Sequence, residues 1–469
     1  MDRVENEDGT EGAEFENKLQ TLEYPFTWDM DDIDNDAVLA TGYKPHDEEE
    51  FIPLLKLMRI VMLVFVQTKK NEDPDSILEN LEKCDDVVVA IKEQADPNIS
   101  IEAVMHVLQA MQCHVFWTLN RRNRAKVIFE EIKSVSATDK IARSTINACR
   151  SIGWSKYHLL GTEEAVDFSR KAIADNPECD LCYFILGKNL RRIRRDMSVG
   201  SIPNKEEADA FIEAYEKSKN VVYGIFVAQM YREQRSIMKA IKMYEEIYRS
   251  KPKSYAVYLR LALGFLQLMK LPLAKMCLDE VAVQCPDDVM YLHYRGKYHM
   301  KTKKFREAIY YLKKAADRNN CPAAKDYLRC MLKVNPLFNA TEYLLTLVER
   351  YKDLPEKQIQ GLVLETAYSY LTKGQMEKSL KHFLHSIEID PKSQTLTEFY
   401  SLFRPGQSQN VYKMLAQEVF PRVRQSRELL DESALETYED LKNYYDEYLE
   451  SQLQATQTAF SKFSNKCFR

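Results

Sequence analysis

Glycine is scarce in this chain, 13 in 469 residues, and none of it falls in a GxxxxGKS phosphate loop or a GxSxG nucleophile elbow. No HExxH zinc helix occurs either. These absences remove the commonest routes to nucleotide hydrolysis, acyl transfer and metal-assisted proteolysis, so no enzyme is expected. A long apolar run is also missing. The most apolar segment, Ile60 to Val66, follows Lys56 and Arg59 and is far too short to span a bilayer. The N-terminus lacks a basic stretch followed by an apolar one, which argues against export and for a soluble, cytoplasmic protein. Ten cysteines are then expected as reduced, mostly buried thiols. The CxxC at Cys179 and Cys182 has no second pair at zinc spacing, and tetrahedral zinc needs four ligands. Both cysteines read as core, and no metal or cofactor is expected. Nor does charge of one sign dominate: 66 Lys and Arg face 71 Asp and Glu, a net charge of −5. Nucleic-acid binding would have to rest on a local patch.

What is present is a repeat. Between Val221 and Pro322 small residues recur every 34 positions, at Ala228, Ala262 and Gly296, and again at Ala240, Ala274 and Ala308. Bulky residues keep step at Tyr231, Phe265 and His299, at Tyr244, Leu278 and Leu312, and at Ile247, Val281 and Ala315. Proline closes the first two copies at Pro252 and Pro286 and arrives late in the third, at Pro322. This period and pattern predict tetratricopeptide units, each an antiparallel helix pair. The small residues let paired helices approach, and the bulky ones fill the seam to the next pair. The expected fold is all-α, a superhelical tetratricopeptide solenoid of about nine helix pairs plus C-terminal capping helices.

In chain order, residues 1–20 are acidic and poor in large apolar groups, which predicts a disordered tail. Leu22, Tyr24, Phe26 and Trp28 form an aromatic cluster expected to dock onto the first repeat, ahead of an acidic run from Asp29 to Asp36. Degenerate repeats fill 21–135, with helices over Phe51–Lys69, Pro74–Lys92, Ile99–Asn120 and Asn123–Val135. Repeats three and four occupy 136–220, marked by Gly153, Ala165, Ala172 and Pro177, then by Leu186 and Gly187. In the fourth, Ile193 to Lys205 reads as an inserted loop or lengthened helix end. Regular repeats continue over 221–391, ending with Ala367, Tyr370, Phe383 and Pro391 around a turn at Gly374. Within 392–469, Glu432–Gln454 is predicted as a capping amphipathic helix, with Ser433 and Glu436 as a capping box.

Repeat arithmetic also predicts which side chains line the concave face, at positions 2, 5, 9, 12 and 13 of each unit. Repeat three supplies Asn147, Arg150, Trp154, Tyr157 and His158. Repeat four supplies Leu181, Phe184, Lys188, Arg191 and Arg192. Repeat five contributes Arg232, and repeat seven His293, Lys297 and Lys301. Cations interleaved with aromatics suit single-stranded nucleic acid, because cations neutralise phosphates and ring faces stack bases. The same groove could clamp an acidic peptide, and some of these side chains could simply face solvent.

Four features add a resemblance. Phe26-Thr27-Trp28-Asp29 precedes an acidic run, Gly153-Trp154 opens repeat three, repeat four is interrupted, and Leu292-His293-Tyr294-Arg295-Gly296 follows in repeat seven. In these the chain resembles the interferon-induced proteins with tetratricopeptide repeats, an antiviral RNA-binding family. The resemblance implies that an RNA 5′ end enters a basic tunnel, with Arg192 at the 5′ phosphates and His293 on the RNA. Tyr231-Arg232 resembles the family's Tyr-Arg pair, although Glu233 stands where an arginine follows. His158 replaces a phosphate-binding lysine, and Tyr294 a glutamine. The arginine and glutamine of the family's N-terminal helix have no counterpart between Tyr43 and Glu50. The expectation is a non-enzymatic RNA-binding protein of cytoplasmic innate antiviral defence. Its ligand would be single-stranded RNA, bearing a 5′-triphosphate or a cap. Arg150, Trp154, Tyr157, His158, Lys188, Arg191, Arg192, Arg232, His293 and Lys297 would form the site. The alternative is a protein-binding scaffold that holds an acidic peptide or partner helix in the same groove.

Overall fold

The computed structural model describes residues 4–30, 47–136, 138–197, 201–353, 356–404 and 406–467, with side chains described for all except 4–11, 47, 158–159, 356–357 and 455–467. Among the described residues there is no β-strand, only a single antiparallel bridge between Phe399 and Gln409. Among the described residues no helix is long and apolar enough to cross a membrane. The chain divides into two compact units, residues 1–280 and 281–469.

The first unit begins with α1 (Val4–Leu19) and continues as helix pairs. These are α2 (Pro53–Lys69) with α3 (Pro74–Gln94), α4 (Ile101–Thr118) with α5 (Arg122–Glu131), and α6 (Lys140–Trp154) with α7 (Thr162–Asp175). Three more follow: α8 (Asp180–Met197) with α9 (Lys205–Ser218), α10 (Val221–Glu233) with α11 (Ile237–Arg249), and α12 (Tyr255–Gln267) with α13 (Leu271–Gln284), whose last four residues fall in the second unit. Local sequence starts these helices where it should. Asp73, Ser100, Asp139, Asn204, Asn220 and Ser254 each accept a backbone N–H from the first turn. Pro53 and Pro74 open α2 and α3, where a missing N–H costs nothing.

Positions 1–20, expected to be disordered, are instead helical from Val4. Phe15 and Leu19 lie one turn apart on α1 and are buried, with the Phe15 ring stacked 4.3 Å from Trp117 and 5.4 Å from Phe129. Two apolar anchors suffice because α4 and α5 supply the other half of the contact. The aromatic cluster docks as anticipated. Phe26 stacks on His114 at 3.7 Å and meets Phe65 edge-on at 4.7 Å, while the Tyr24 hydroxyl lies 3.0 Å from His114 Nδ1. The Glu23 backbone N–H donates to His106 Nε2 at 3.0 Å, which locks this segment onto α4. In its described part the insertion in repeat four is a lengthened α8 as far as Met197 and a non-helical stretch over 201–204, where the Ser201 hydroxyl donates to the Arg194 carbonyl at 3.0 Å.

The small residues do what the period implies. Ala228, Ala240, Ala262 and Ala274 are fully buried. Gly264 goes further: a Cβ there would lie 2.5 Å from Cζ of the buried Tyr244 ring. Gly264→Ala should therefore lower stability by about 1–2 kcal/mol, overpacking winning over the helix-propensity gain. A urea midpoint equal to that of wild type would show that the ring slides aside.

The second unit contains three pairs: α14 (Val289–Lys301) with α15 (Phe305–Asp317), α16 (Cys321–Val334) with α17 (Ala340–Arg350), and α18 (Glu356–Thr372) with α19 (Met376–Ile389). Pro322 opens α16 rather than closing the repeat before it, which explains its late arrival. Gly374 takes φ +71 in the turn between α18 and α19, the left-handed conformation glycine supplies without strain. Three short helices, α20 (Gln394–Thr397), α21 (Val411–Met414) and α22 (Phe420–Gln425), lead to α23 (Glu432–Cys467). Ala434, Tyr438 and Leu441 of α23 are buried in one cluster with Leu380 and Phe383 of α19. The cap of α23 is Asp431, which accepts the Ala434 N–H at 2.7 Å, not the expected Ser433, whose carbonyl instead accepts the Thr437 hydroxyl.

Candidate nucleic-acid interface

The first unit holds a small cavity of about 40 Å³ bounded by α2, α6 and α8 and by two 3₁₀ segments, Asp47–Glu50 and Ser155–Gly161. Leu55, Ile152 and Ile185 form its apolar wall. Lys156, Lys188, Asn189, Arg192, Ser155 and Glu49 supply the polar lining. Around the rim Arg59 Nε donates to Glu49 Oε2 at 2.8 Å. Arg260 Nη2 and Lys188 Nζ lie 3.4 and 3.8 Å from Glu48 Oε1. Five cations thus surround two carboxylates. Arg192 donates to the Ser155 carbonyl, and among the described residues no carboxylate pairs with Arg192 or with Lys156.

The electrostatics follow from that imbalance. Burial, then the neighbouring Lys188 charge, pushes the Lys156 ammonium down to about 8. Burial likewise lowers Lys188 and Arg192. Glu49 and Asp196 offset only part of the burial cost of Lys156 and Arg192, so a multiply charged anion entering the cavity would recover more of it. The Oε1 atom of Glu49, on a side chain only 4% exposed, is buried without a hydrogen-bond partner.

Of the expected site residues of the first unit whose side chains are described, Lys188 and Arg192 meet here, and Arg150, Trp154, Tyr157, Arg191 and Arg232 do not line the cavity. Arg191, one residue earlier on α8, points the other way, donating to Gln229 Oε1 at 2.8 Å and Glu233 Oε1 at 2.6 Å on α10. Arg232 lies 3.7 Å from the same carboxylate, and Arg194 and Arg195 donate to it as well. Burial would raise the Glu233 carboxyl, but the charges of Arg191 and Arg195 outweigh it and hold the group at about 2. Arg150 is bound to Glu23 and sits 5.3 Å from the Phe168 ring, fastening the N-terminal segment.

The aromatic part of the expectation is overturned. Trp154 and Tyr157 are 7% and 1% exposed, and Phe184 is fully buried, stacked 4.4 Å from Tyr223. These rings fill seams between pairs and offer no face to a base. The His158 side chain lies outside the described residues.

His293 and Lys297 belong to the second unit. Both converge on the buried Asp326, at 3.1 and 2.8 Å, and Arg329 completes the cluster at 2.6 Å. Burial would raise the Asp326 carboxyl, yet the His293 and Lys297 contacts hold it at about 2. His293 and Lys297 are thus already engaged by Asp326. Cys179 and Cys182, read as core from their spacing, are buried thiols with their Sγ atoms 3.1 Å apart.

Repeat arithmetic missed Lys156 for a definable reason. The α-helix ends at Trp154, and Ser155–Gly161 winds as a 3₁₀ helix. At three residues per turn instead of 3.6, side-chain directions drift by about 20° per residue, so helical positions no longer name the inward face.

Antiparallel helix pairs repeating at tetratricopeptide spacing, with small residues at each crossing, make this chain an all-α tetratricopeptide solenoid. Its architecture is similar to that of human IFIT1. The human IFIT1 dimer with PPP-AAAA matches at TM-score 0.57 and 16% identity, over 94% of this chain and 99% of that one. The human IFIT1 dimer with m7Gppp-AAAA matches at TM-score 0.57 and 15% identity, over 95% and 99%. No protein-family model matches the sequence, and no curated relative is found for it. At such identity the likeness speaks for the fold, and the ligand must be argued from the cavity.

Proposed function

We propose that the chain binds single-stranded RNA without catalysis, taking the phosphorylated 5′ end into the cation cavity of the first unit. The observation that carries this reading is that Lys156 and Arg192 lie together at a cavity wall and, among the described residues, neither has a carboxylate within ion-pair distance. Phosphate oxygens accept charge-assisted hydrogen bonds from both guanidinium and ammonium groups. The IFIT1 structures, with PPP-AAAA and with m7Gppp-AAAA, support the choice of a phosphate-bearing RNA end. A role in cytoplasmic innate antiviral defence follows from the sequence resemblance.

A carboxylate-bearing peptide is the second reading, favoured by Glu49, which shows that a carboxylate fits against these cations. Short RNAs carrying a 5′-triphosphate, a cap or a 5′-hydroxyl separate the two when measured against the purified protein. Binding that requires the 5′ phosphates and is not displaced by an acidic peptide supports the RNA reading. Equal binding of 5′-hydroxyl RNA, or displacement by the peptide alone, overturns it.

A further inference from the structure

The acidic segment Asp47–Glu50 enters the cation cluster from outside the repeat array, ahead of α2. Glu48 and Glu49 are 7% and 5% exposed, so their carboxylates are committed to the interior. Glu48 faces Lys188 and Arg260; Glu49 is held by Arg59 and also lines the cavity beside Arg192 and Lys156. The space left to a ligand is about 40 Å³, enough for roughly three waters at ~10–15 Å³ each. A chain of three linked phosphates does not fit that space while both carboxylates remain. Yet the cations around it are those a polyphosphate needs.

We propose that Glu48 and Glu49 are built-in competitors of the ligand. They occupy part of the phosphate site in the free protein, and only a multiply charged phosphate end displaces them. This inference rests on reading the cavity as an anion site and names what sets its selectivity. A carboxylate carries one charge and a triphosphate end several. The exchange of a tethered Glu for a single phosphate gains little, whereas exchange for a triphosphate gains much. The pair therefore discriminates between RNA ends by charge number. It also stabilises the free protein, since without it five buried or half-buried cations would repel one another.

The consequence has an unusual sign. Removing a polar side chain from a binding pocket ordinarily weakens binding; here Glu49→Gln, which keeps one oxygen for Arg59, should strengthen it. Affinity for inorganic triphosphate and for 5′-triphosphorylated RNA should rise at least ~10-fold, because the phosphates no longer have to displace a charged carboxylate from its cation partners. The preference for triphosphate over monophosphate ends should shrink, and the melting temperature of the ligand-free protein should fall. Glu48→Gln removes the charge facing Lys188 and Arg260 and carries the same test if Glu49→Gln does not fold.

The experiment is calorimetric titration of wild type and both variants with inorganic triphosphate, then with 5′-monophosphate and 5′-triphosphate RNA. Tighter binding together with a lower melting temperature supports the inference, as does binding seen only in a variant. Wild-type binding that the variants leave unchanged or weaken overturns it and leaves the cavity as an anion site. No binding by wild type or either variant overturns both.

Discussion

Affinity for 5′-triphosphorylated RNA should fall as the pH is raised above about 8, and Lys156 should be the cause. Its ammonium titrates at about 8 in the free protein because burial and the Lys188 charge disfavour the protonated form. Bound phosphates favour that form, so above this pH binding must take up a proton. The association constant then drops by up to ~10-fold per pH unit above about 8 and is flat from there down to the last ionisation of the phosphates. The terminal phosphates do not confuse the result, since their last ionisation lies near ~6–7. Folding responds with the opposite sign. The lysine value is lowered from 10.5 in the folded chain, so the unfolded state holds more protons between about 8 and 10.5 and stability rises across that window. Lys156→Arg, whose charge does not titrate, should keep the affinity and flatten the profile. Lys156→Met and Arg192→Ala should each cost about 2–5 kcal/mol of binding at neutral pH, at least ~30-fold, because a buried charge-assisted hydrogen bond is lost. A pH profile in Lys156→Met that still falls above 8 would remove Lys156 from the site.

How much of this was legible in the sequence follows from what each residue depends on. The repeats were readable because each helix pair repeats the same local problem, so Ala228, Ala262 and Gly296 stand in register. Lys188 and Arg192 were readable for the same reason, both lying inside one regular helix. Legibility stopped where the local rule changed. Lys156 lies just past the end of α6, in a 3₁₀ turn that rotates it into the cavity. Glu48 and Glu49 come from outside the repeats, and no periodicity could bring them to Lys188 and Arg59. Trp154, at the end of the regular helix, and Tyr157, in the 3₁₀ turn after it, were both taken up by packing, since a large ring at a seam gains more by burial than by waiting for a base. Helix α1 was missed because its two anchors, Phe15 and Leu19, matter only once Trp117 and Phe129 are opposite.

Glu233 explains why the arginine-rich end of α8 is not one large phosphate site, and its loss should be the most damaging single change in the first unit. Arg191, Arg194, Arg195 and Arg232 all reach its carboxylate, and among the described residues Glu207 is the other carboxylate in ion-pair contact with them, held by Arg194 at 2.7 and 2.9 Å. Arg191 and Arg194 are 8% and 9% exposed at the side chain and Glu233 14%, so little water can screen them. Glu233→Gln keeps the volume and one acceptor oxygen but leaves four guanidiniums facing a single carboxylate. Breaking a buried ion cluster from one side costs about 3–5 kcal/mol, because the remaining charges stay desolvated without compensation. Urea unfolding at neutral pH should show that loss. The carboxyl is held at about 2 against its ordinary 4.5, so its contribution is present in full above about 4.5. It is lost as the pH falls toward 2, where the unfolded chain has already taken up its proton. The gap between wild type and Glu233→Gln should close over that same range. A gap below about 1 kcal/mol at neutral pH would instead mark a hydrated surface network. Arg191 and Arg232 would then be free to reach a ligand, and the phosphate site would extend from the cavity along α8 to α10.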